Sequence, residues 1–234
     1  MTVILLRHGR STSNTAHTLA GRSEGVELDE KGHAQAAALV ERLQGLPVKA
    51  LVRSPLLRCR LTVEPLAAAL GLEPVVDERL SEVDYGQWTG RPLTELLREP
   101  LWSVVQQQPS AAVFPAGEGL AQVQARAVAA VREHDRRLRA EHGSDTLWVA
   151  CTHGDVIKAV VADALGAHLD SFQRITADPA SMSVIRYTKL RPFVLHVNHT
   201  GAQLAAVLSA PSVVDASDGG DADGGDAVVG GSTD

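Results

Sequence analysis

Two short stretches, TVILLRHG at residues 2–9 and TLWVACTHG at residues 146–154, decide the fold class of this chain. Each begins with a run of mainly apolar residues that is typical of a buried strand, and each ends in a histidine followed by a glycine. We expect the glycine to let the backbone turn where the strand stops. One histidine at a strand end is usually structural, but two in matching contexts indicate a shared site.

Strands and helices alternate along the rest of the chain. Apolar runs predict strands, and apolar residues at helical spacing predict helices, in this order: strand 2–6, helix 30–44, strand 50–54, helix 56–70, helix 118–141, strand 146–151, helix 155–165, and two late antiparallel strands at 182–188 and 193–199. Asp29 is placed to cap the first helix, Pro55 suits the first turn of the second, and Gly71 ends it. The alternation predicts an α/β fold, a three-layer α/β/α sandwich around a mostly parallel mixed sheet.

The composition is that of an ordinary globular domain with an acidic end. The chain has 234 residues, of which 44% are hydrophobic and 21% charged, so it is long enough to bury a core without disulfides. It carries 28 acidic and 22 basic side chains, but six of the acids follow the last basic residue, Arg191. Residues 1–191 are therefore formally neutral, which argues against nucleic acid as a partner.

The end of the chain differs from the rest. Residues 210–234 are dominated by Gly, Asp, Ala and Ser, a composition that cannot bury enough surface to form a core. We predict one folded domain over residues 1–209 and a disordered acidic tail over residues 210–234. No apolar run approaches the roughly 18 residues of a membrane-spanning helix, and two cysteines make no disulfide framework. The chain is therefore expected to be cytoplasmic, without a membrane partner.

Arginines accompany both histidines. Arg7 precedes His8 at the first strand end, and Arg58 follows the second strand within the segment SPLLRCRLT, residues 54–62. Ligands of such sheets sit beyond the carboxyl ends of the strands, so we expect Arg7 and Arg58 to flank His8 and His153 at one edge. Two guanidinium groups around imidazoles suit a phosphoryl group, and a neutral imidazole is a nucleophile toward phosphorus.

A proton donor is also required, because a leaving alkoxide must be protonated. The segment LSEVDYGQWTG, residues 80–90, is rich in polar groups and contains two glycines, which predicts a loop. It offers two carboxyl groups, Glu82 and Asp84, and spacing alone leaves the choice between them open.

Several ordered segments resemble the histidine phosphatase superfamily, the phosphoglycerate mutase-like proteins. The segment RHGRSTSN at residues 7–14 is similar to the family signature. The other matching segments follow in the family's order at residues 54–62, 82–90, 117–118 and 153–154. The resemblance extends over residues 2–200, and it is strongest to actinobacterial, above all mycobacterial, members labelled phosphoglycerate mutase or phosphomutase. It implies a phosphoglycerate mutase-like fold with a short cap segment over residues 91–116.

The resemblance also implies a role for each motif residue. His8 matches the histidine that becomes phosphorylated, and Glu82, rather than Asp84, matches the glutamate that gives and takes the proton. The residues that match those holding the phosphoryl group are Arg7, Arg58 and His153. The residues that match substrate-binding positions are Asn14 at the phosphate, Arg22 and Tyr85 at the entrance, and Gly154. The family uses no metal, so neither a metal site nor a cofactor is expected.

The length of the cap separates two activities. Family mutases carry a long insertion with paired arginines, whereas here 26 residues separate Gly90 from Gly117, and their only bases are Arg91 and Arg98. A short cap excludes water badly, so we expect a metal-independent, acid phosphatase-like phosphomonoesterase that hydrolyses a small phosphorylated metabolite. Phosphoglycerate mutase or phosphomutase activity through the same phosphohistidine is the alternative. A non-catalytic protein that binds phosphorylated ligands is the alternative of another class.

Two further motifs are set aside. Residues 21–25 match the Gly-x-Ser-x-Gly elbow of serine hydrolases but lack the strand and helix that flank it. Cys59 and Cys151 lack the arginine that follows the nucleophile of cysteine phosphatases, and we expect both to be small buried side chains.

Three groups of side chains outside the motifs carry structural expectations. His196 and His199 should face opposite sides of a strand, and the pair His134-Asp135 should lie on a solvated helix face. Three aromatic residues either pack the cap or form an apolar rim for the substrate: Trp88, Trp102 and Phe114. The substrate stays open among sugar phosphates, phosphoglycerates and nucleotides, and so does the pairing of two copies as a homo-oligomer.

Overall fold

The computed structural model describes residues 1–143 and 146–201, so the predicted tail lies outside the described residues. The strands of this part are β1 Thr2–Arg7, β2 Val48–Arg53, β3 Val75–Val76, β4 Leu147–Thr152, β5 Met182–Tyr187 and β6 Pro192–His199. Its α-helices are α1 Thr12–Thr15, α2 Glu30–Arg42, α3 Leu57–Leu70, α4 Leu93–Leu96, α5 Pro100–Gln107, α6 Leu120–His142 and α7 Gly154–Leu165. Its 3-10 helices are Glu78–Leu80, Gly86–Trp88, Pro109–Ala111 and Leu169–Arg174. Within the described residues, no helix has the length and apolar character needed to cross a membrane.

The strands form one mixed sheet in the order β3-β2-β4-β1-β5-β6. Strands β3, β2, β4 and β1 run parallel to one another. Strand β5 pairs antiparallel with β1, and β6 pairs antiparallel with β5 at the edge of the sheet. The mostly parallel mixed sheet and the late antiparallel pair are as predicted. Strands β1 and β4 are direct neighbours, so their carboxyl ends lie side by side.

Alternate side chains of the central strand β1 enter two separate cores. Val3 and Leu5 pack with residues of α6 and α7, whereas Ile4 and Leu6 pack with residues of α2 and α3. All four side chains are buried. The period of two along a strand thus places one pair of helices on each side of the sheet, which confirms the three-layer α/β/α sandwich.

The helix ends agree with the predicted signals at two of three positions. The Asp29 carboxylate accepts a hydrogen bond of 2.7 Å from the Gly32 backbone N–H and caps α2, and Gly71 ends α3 in the left-handed conformation (φ 65°). Pro55 does not occupy the first turn of α3, so that prediction is wrong. The Ser54 hydroxyl accepts from the Leu56 N–H at 3.3 Å, which turns the chain there, and the helix begins only at Leu57.

Residues 91–116 run through α4 and α5 and cover one end of the larger core. Trp88, Trp102 and Phe114 are each at most 7% exposed. The ring of Trp88 lies with its centroid 6.3 Å from that of Trp102 and 5.2 Å from that of Phe114. These rings therefore pack the cap, and the apolar rim for a substrate is wrong.

The two late histidines are not on opposite sides of β6. Their ring centroids lie 5.8 Å apart, in an edge-to-face arrangement. The register between β5 and β6 shifts around Val184, and Asn198 adopts a positive φ of 54°. A bulge of this kind breaks the alternation of side chains, which is why the prediction for His196 and His199 is wrong.

His134 and Asp135 are buried, so the solvated face predicted for them is also wrong. The His134 Nε2 lies 2.8 Å from the Asp77 Oδ2, and the Arg139 Nη2 donates to the Asp135 Oδ2 at 3.1 Å. Asp77 belongs to the loop after β3, far from α6 in sequence. The periodicity of a helix cannot report a polar partner that another segment supplies.

Candidate active site

The two strand-end histidines meet at the carboxyl edge of the sheet. Arg7 at the end of β1 pairs in register with Thr152 at the end of β4, and the His8 backbone N–H donates to the Thr152 carbonyl at 3.0 Å. This pairing places the ring of His8 5.2 Å from the ring of His153, centroid to centroid. Both rings are almost completely buried.

Contacts of both ring nitrogens of His8 indicate one tautomer. The Nδ1 lies 2.7 Å from the carbonyl oxygen of Gly9, an acceptor, so Nδ1 carries the proton. The Arg58 Nε donates to the His8 Nε2 at 3.3 Å, which requires a lone pair on Nε2. The Nε2 of His8 is therefore the nucleophilic nitrogen, and it faces the guanidinium of Arg58.

Arg58 is the centre of the site. Besides its contact with His8, its Nη2 donates to the Gly21 carbonyl at 2.8 Å and lies 3.2 Å from the Nδ1 of His153. Its Nη1 is buried and finds no hydrogen-bond partner among residues 1–143 and 146–201. A buried guanidinium nitrogen without a partner is costly, and an oxyanion bound between the histidines would satisfy it.

Arg7 lies under the same edge of the sheet. Its side chain is completely buried, and its Nη1 donates to the Ala177 carbonyl at 2.7 Å. Burial lowers the pKa of Arg7 and that of Arg58 from the ordinary arginine value. Both groups stay positive at neutral pH, since the arginine pKa starts above about 12.

The contacts of His153 indicate the other neutral tautomer, with the proton on Nε2. Its Nε2 lies 2.8 Å from the Ser54 hydroxyl and 3.5 Å from the Cys59 sulfur. Its Nδ1 accepts from Arg58 and lies 4.0 Å from the Glu82 Oε2. The Nδ1 side of the ring therefore faces the site.

Burial and positive charge keep both histidines neutral. Burial is the largest cause that lowers the pKa of His8 well below its ordinary value, followed by the charges of Arg58 and Arg7. The pKa of His153 is lowered well below its ordinary value by burial and then by Arg58. A neutral His8 with a free Nε2 lone pair is the reactive form of a histidine nucleophile.

Glu82 is held in the loop by its own backbone. The Arg22 Nε and the Arg126 Nη2 donate to the Glu82 carbonyl at 3.0 and 3.1 Å. Glu118 joins the two arginines, because its Oε2 accepts from the Arg22 Nη2 and from the Arg126 Nη2 at 2.8 and 2.9 Å. The side chain of Glu82, 4% exposed, is left to face His153.

The protonation of Glu82 is opposite to that of a surface glutamate. Burial raises the pKa of its carboxyl to about 7, and the negative charge of Asp155 adds to the effect. Arg58 and Arg7 act in the opposite direction but do not cancel it. A carboxylic acid with this pKa is suited to give a proton near neutral pH and to take it back. The rival acid, Asp84, instead accepts a hydrogen bond from the Gly86 backbone N–H at 3.0 Å.

The positions expected to bind substrate have the following surroundings. The Asn14 Oδ1 accepts from the Ser11 N–H at 3.0 Å and from its hydroxyl at 2.8 Å, so its Nδ2 is the group suited to donate to a phosphate. Gly154 is the first residue of α7 and directs its N–H to the same end of the helix as His153. Arg22 is partly exposed and touches the loop of Glu82.

Tyr85 differs from the expectation. Its side chain is completely buried, and its hydroxyl donates to the Asp155 Oδ2 at 2.7 Å. The ring also packs edge-to-face on Phe114 of the cap, with centroids 4.9 Å apart. The side chain of Tyr85 is therefore packed between Asp155 of α7 and Phe114 of the cap and does not line an entrance.

Four supporting residues were missed by the sequence reasoning as members of the site. Ser54 fixes the tautomer of His153, Asp155 binds Tyr85, and Arg126 and Glu118 hold the loop of Glu82. Ser54 had a signal, since it ends a strand beside a motif arginine. Arg126 had none, because it lies within the amphipathic pattern of α6.

The two cysteines are completely buried, as expected. Burial raises the pKa of the Cys151 thiol well above its ordinary value, which makes it a poor nucleophile. Residues 21–25 form turns without the strand and helix of a hydrolase elbow. Neither alternative chemistry gains support from the described structure.

Comparisons with known proteins agree with this geometry. The model of the histidine phosphatase superfamily (branch 1) matches residues 3–200. Phosphoserine phosphatase 1 of Hydrogenobacter thermophilus is 31% identical over 204 residues, which cover 85% of this chain and 92% of that protein. A Yersinia pestis protein named "Probable phosphoglycerate mutase GpmB" is 29% identical over 187 residues, which cover 79% of this chain and 84% of that protein.

A solved structure leads to the same conclusion. Mycobacterial glucosyl-3-phosphoglycerate phosphatase in complex with vanadate (VO3) superposes with a TM-score of 0.76 at 26% identity. The superposition covers 85% of this chain and 98% of that one. The chain belongs to the histidine phosphatase superfamily, branch 1, as the order of its motifs predicts.

Proposed function

We propose that this protein is a metal-independent phosphomonoesterase that hydrolyses a small phosphorylated metabolite through a phosphohistidine on His8. One observation carries the proposal. The unprotonated Nε2 of a neutral His8 accepts from the buried guanidinium of Arg58, while Glu82, an acid with a pKa of about 7, lies across the site beside His153. Nucleophile, oxyanion partner and proton donor thus surround one pocket.

In the first step, the Nε2 lone pair of His8 attacks the phosphorus atom, and the bond from phosphorus to the ester oxygen breaks. The protonated Glu82 carboxyl gives its proton to that oxygen, so an alcohol leaves and Glu82 becomes a carboxylate. Arg7 and Arg58 hold the phosphoryl oxygens, with the Asn14 amide and the Gly154 N–H beside them, and His153 orients the Arg58 guanidinium by accepting a hydrogen bond from it at Nδ1.

In the second step, water attacks the phosphorus atom of phosphorylated His8, and the bond from phosphorus to Nε2 breaks. The Glu82 carboxylate takes the proton of that water, and inorganic phosphate leaves. Both groups return to their starting protonation, so one carboxyl serves as acid and then as base.

The charge that this chemistry needs is supplied by the chain itself. Arg7 and Arg58 are buried cations at the pocket, and guanidinium groups bind phosphoryl oxygens in pairs. In the described residues, no group of three or more His, Cys, Asp or Glu side chains is arranged to hold a metal ion. Turnover in the presence of a chelator is therefore the expected behaviour.

The cap favours hydrolysis over mutase activity. A mutase must grip a second phosphate and exclude water from the phosphohistidine. Of the two arginines in the cap segment, Arg91 is bound to Glu99 at 2.6 Å and to Glu95 at 3.6 Å, and Arg98 lies on an exposed position. Neither arginine therefore offers a guanidinium group that is both buried and available to bind a second phosphate.

The names of the relatives suggest which metabolites to test first. One relative is a phosphoserine phosphatase, another is named for phosphoglycerate, and a third acts on glucosyl-3-phosphoglycerate. We infer that the substrate of this chain is a phosphate ester of comparable size.

The test is phosphate release from a panel of phosphomonoesters in the presence of a chelator. The panel contains phosphoserine, 3-phosphoglycerate, glucosyl-3-phosphoglycerate, sugar phosphates and nucleoside monophosphates. His8→Ala protein is the blank, since it lacks the proposed nucleophile. Release that depends on His8 supports the proposal and ranks the substrates.

Two results would overturn the proposal. The first is release that is equal in wild-type and His8→Ala protein. The second is isomerisation of phosphoglycerate by wild-type protein without release of phosphate, which would establish the mutase alternative.

A further inference from the structure

A second polar cluster, largely buried, connects the loop of Glu82 to α7, and the two reaction steps do not use it. It consists of Tyr85, Asp155, Lys158 and Gln173, and we call it the Asp155 cluster. The Tyr85 hydroxyl donates to the Asp155 Oδ2 at 2.7 Å, and the Lys158 Nζ lies 3.8 Å from the Asp155 Oδ1. The Lys158 Nζ also donates to the Gln173 Oε1 at 3.0 Å and sits 4.9 Å above the ring of Phe172.

Stability alone is a weak reason for this cluster. Asp155 is 1% exposed and Lys158 is 3% exposed, so both charges have been removed from water. The cost of desolvating such a pair is comparable to its electrostatic gain, and apolar residues of similar volume often stabilise a core as well or better. A buried ion pair that touches a catalytic loop is therefore a candidate for a functional part.

The cluster joins two segments whose relative position must stay fixed during catalysis. Tyr85 follows Glu82 by three residues in one loop, and Asp155 follows His153 by two residues at the start of α7. The hydroxyl-to-carboxylate bond therefore ties the loop of the acid to the helix that carries the second histidine. Gln173 extends this connection, because its Nε2 donates to the Val105 carbonyl of α5 in the cap at 3.3 Å.

The charges around Glu82 come from every side of the pocket. The positive groups are Arg7 from β1, Arg58 from α3 and Lys158 from α7, the negative group is Asp155 from α7, and the neutral ring of His153 lies at the end of β4. The arginines favour the carboxylate form of Glu82, and the acid of this set, Asp155, favours the protonated form.

Asp155 also has charged and polar neighbours. Lys158 lies one turn further along α7, and Arg7 faces Asp155 from β1. Tyr85 contributes a neutral donor, because burial and Asp155 raise the pKa of its phenol well above the ordinary value. The position of Asp155 is thus fixed by an ammonium group and a hydroxyl group.

We propose that Asp155 is a positioning residue for Glu82. Its carboxylate holds the loop of Glu82 through Tyr85, and its negative charge beside Glu82 keeps the acid protonated until the leaving oxygen takes the proton. This inference rests on the proposed function, since it assigns a partner to the acid of that reaction.

Two substitutions separate the charge from the hydrogen bond. Asp155→Asn removes the charge but leaves an amide oxygen that accepts from the Tyr85 hydroxyl. Tyr85→Phe removes the hydroxyl but leaves the charge, and it keeps the test open should Asp155→Asn fail to fold. Asp163→Asn is the matched control, because Asp163 lies on the same helix two turns further on and pairs with Arg132 at the surface.

The readout is the pH profile of kcat/KM for phenyl phosphate and for 4-nitrophenyl phosphate, whose leaving group needs less help from an acid. With phenyl phosphate, Asp155→Asn is expected to move the alkaline limb to lower pH by on the order of one unit, because a like charge next to Glu82 is gone. Tyr85→Phe is expected to lower kcat for phenyl phosphate roughly tenfold with little change in KM, because the acid is less well placed. Both variants should retain most of the rate on 4-nitrophenyl phosphate, and Asp163→Asn should match wild-type protein throughout.

The outcomes distinguish this inference from the proposed function. If wild-type protein releases no phosphate that depends on His8, the proposed function fails. If it does, but folded Asp155→Asn keeps the wild-type alkaline limb, the positioning role of Asp155 is refuted while the phosphatase stands. An equal loss by Tyr85→Phe on both substrates refutes the role as well, because a loss that ignores the leaving group does not act through the acid.

Discussion

At the scale of single residues, the protonation states of His8 and Glu82 are the reverse of those that the same side chains have at a protein surface. Near pH 6 a surface histidine is largely protonated and a surface glutamate is ionised. Here burial and two arginines keep His8 neutral, while burial and Asp155 keep Glu82 protonated. The proposed nucleophile, His8, and the proposed acid, Glu82, are therefore both in their reactive forms over one range of pH.

This reversal predicts the pH dependence of the reaction. The rate kcat/KM on a substrate with a poor leaving group should fall as the pH rises through about 7, where Glu82 loses its proton. The acidic limb should lie well below the ordinary histidine pKa, where His8 gains one. Glu82→Gln protein should lose the alkaline limb and most of its rate on phenyl phosphate. An alkaline limb that persists in Glu82→Gln protein would mean that another group is the acid.

The same carboxyl gives an independent check through stability. The folded-state pKa of Glu82 lies above its ordinary value of 4.5, so its contribution to stability is fully present below about pH 4.5 and is lost as the pH rises through about 7. Glu82→Gln should therefore raise the free energy of unfolding at pH 8 relative to wild-type protein and change it less at pH 4.5. Urea unfolding at the two pH values measures this difference.

The residues to which we assign contact with the phosphoryl group could be found from the sequence, and the residues that support them could not. His8, Arg58 and His153 stand at strand ends or within a motif, where spacing carries information. Asp155 follows the second histidine, but its partners Tyr85 and Lys158 become visible only when the loop and helix are packed together. Tyr85 itself was expected at an entrance, because sequence cannot tell a buried ring from an exposed one in a loop.

At the scale of elements, the close approach of α2 to the end of β1 shapes the site. An added Cβ on Gly9 would lie 2.7 Å from the Gly32 carbonyl oxygen, and one on Gly32 would collide with the backbone of Arg10. Neither glycine has a positive φ within the described residues. Gly9 thus serves to leave room for a neighbouring helix, and not to make the turn that the sequence suggested.

A substitution on α2 tests this contact. At a free helical position, Gly→Ala stabilises a protein by about 1 kcal/mol. Gly32→Ala is expected to do the opposite and to lower the free energy of unfolding by roughly 1 to 3 kcal/mol, because the methyl group overpacks the backbone of Arg10. Urea unfolding measures the change, with His33→Ala on the exposed neighbouring position as control. Equal or higher stability of Gly32→Ala protein would show that α2 does not pack tightly against the backbone of Arg10.

Element types were predictable from the sequence, and contacts between distant elements were not. The spacing of apolar residues and the capping signals predicted the bounds of four elements to within one or two residues: β1, α2, α3 and α7. The burial of His134 depends on Asp77, and the meeting of His196 and His199 depends on a bulge opposite β5. Both features arise from pairing between segments, to which local periodicity is blind.

At the scale of the whole molecule, residues 1–191 are formally neutral and the net negative charge belongs to the residues that follow. Removing the six acids after Arg191 from the total of 28 leaves 22, which equals the 22 basic residues. We expect the positive potential of the buried arginines to guide an anionic substrate without a contribution from the net charge of residues 1–191.

Truncation tests the independence of the tail. Protein ending at residue 209 lacks all six of these acids, so its formal net charge changes from −6 to 0. Because the composition of residues 210–234 predicts a disordered tail, we expect kcat/KM to change by less than about twofold and Tm to change no more than it does for surface substitutions. A large loss of activity or Tm would show that the tail belongs to the fold or the site.

The most direct test of the central claim is to trap the phosphorylated enzyme. Glu82→Gln protein can still accept a phosphoryl group from 4-nitrophenyl phosphate, but it lacks the base that activates water in the second step. After an alkaline quench and peptide mass analysis, the account predicts a phosphoryl group on the peptide that contains His8, and none in Glu82→Gln/His8→Ala protein. A phosphoryl group on another residue, or phosphate release without any phosphorylated enzyme, would contradict it.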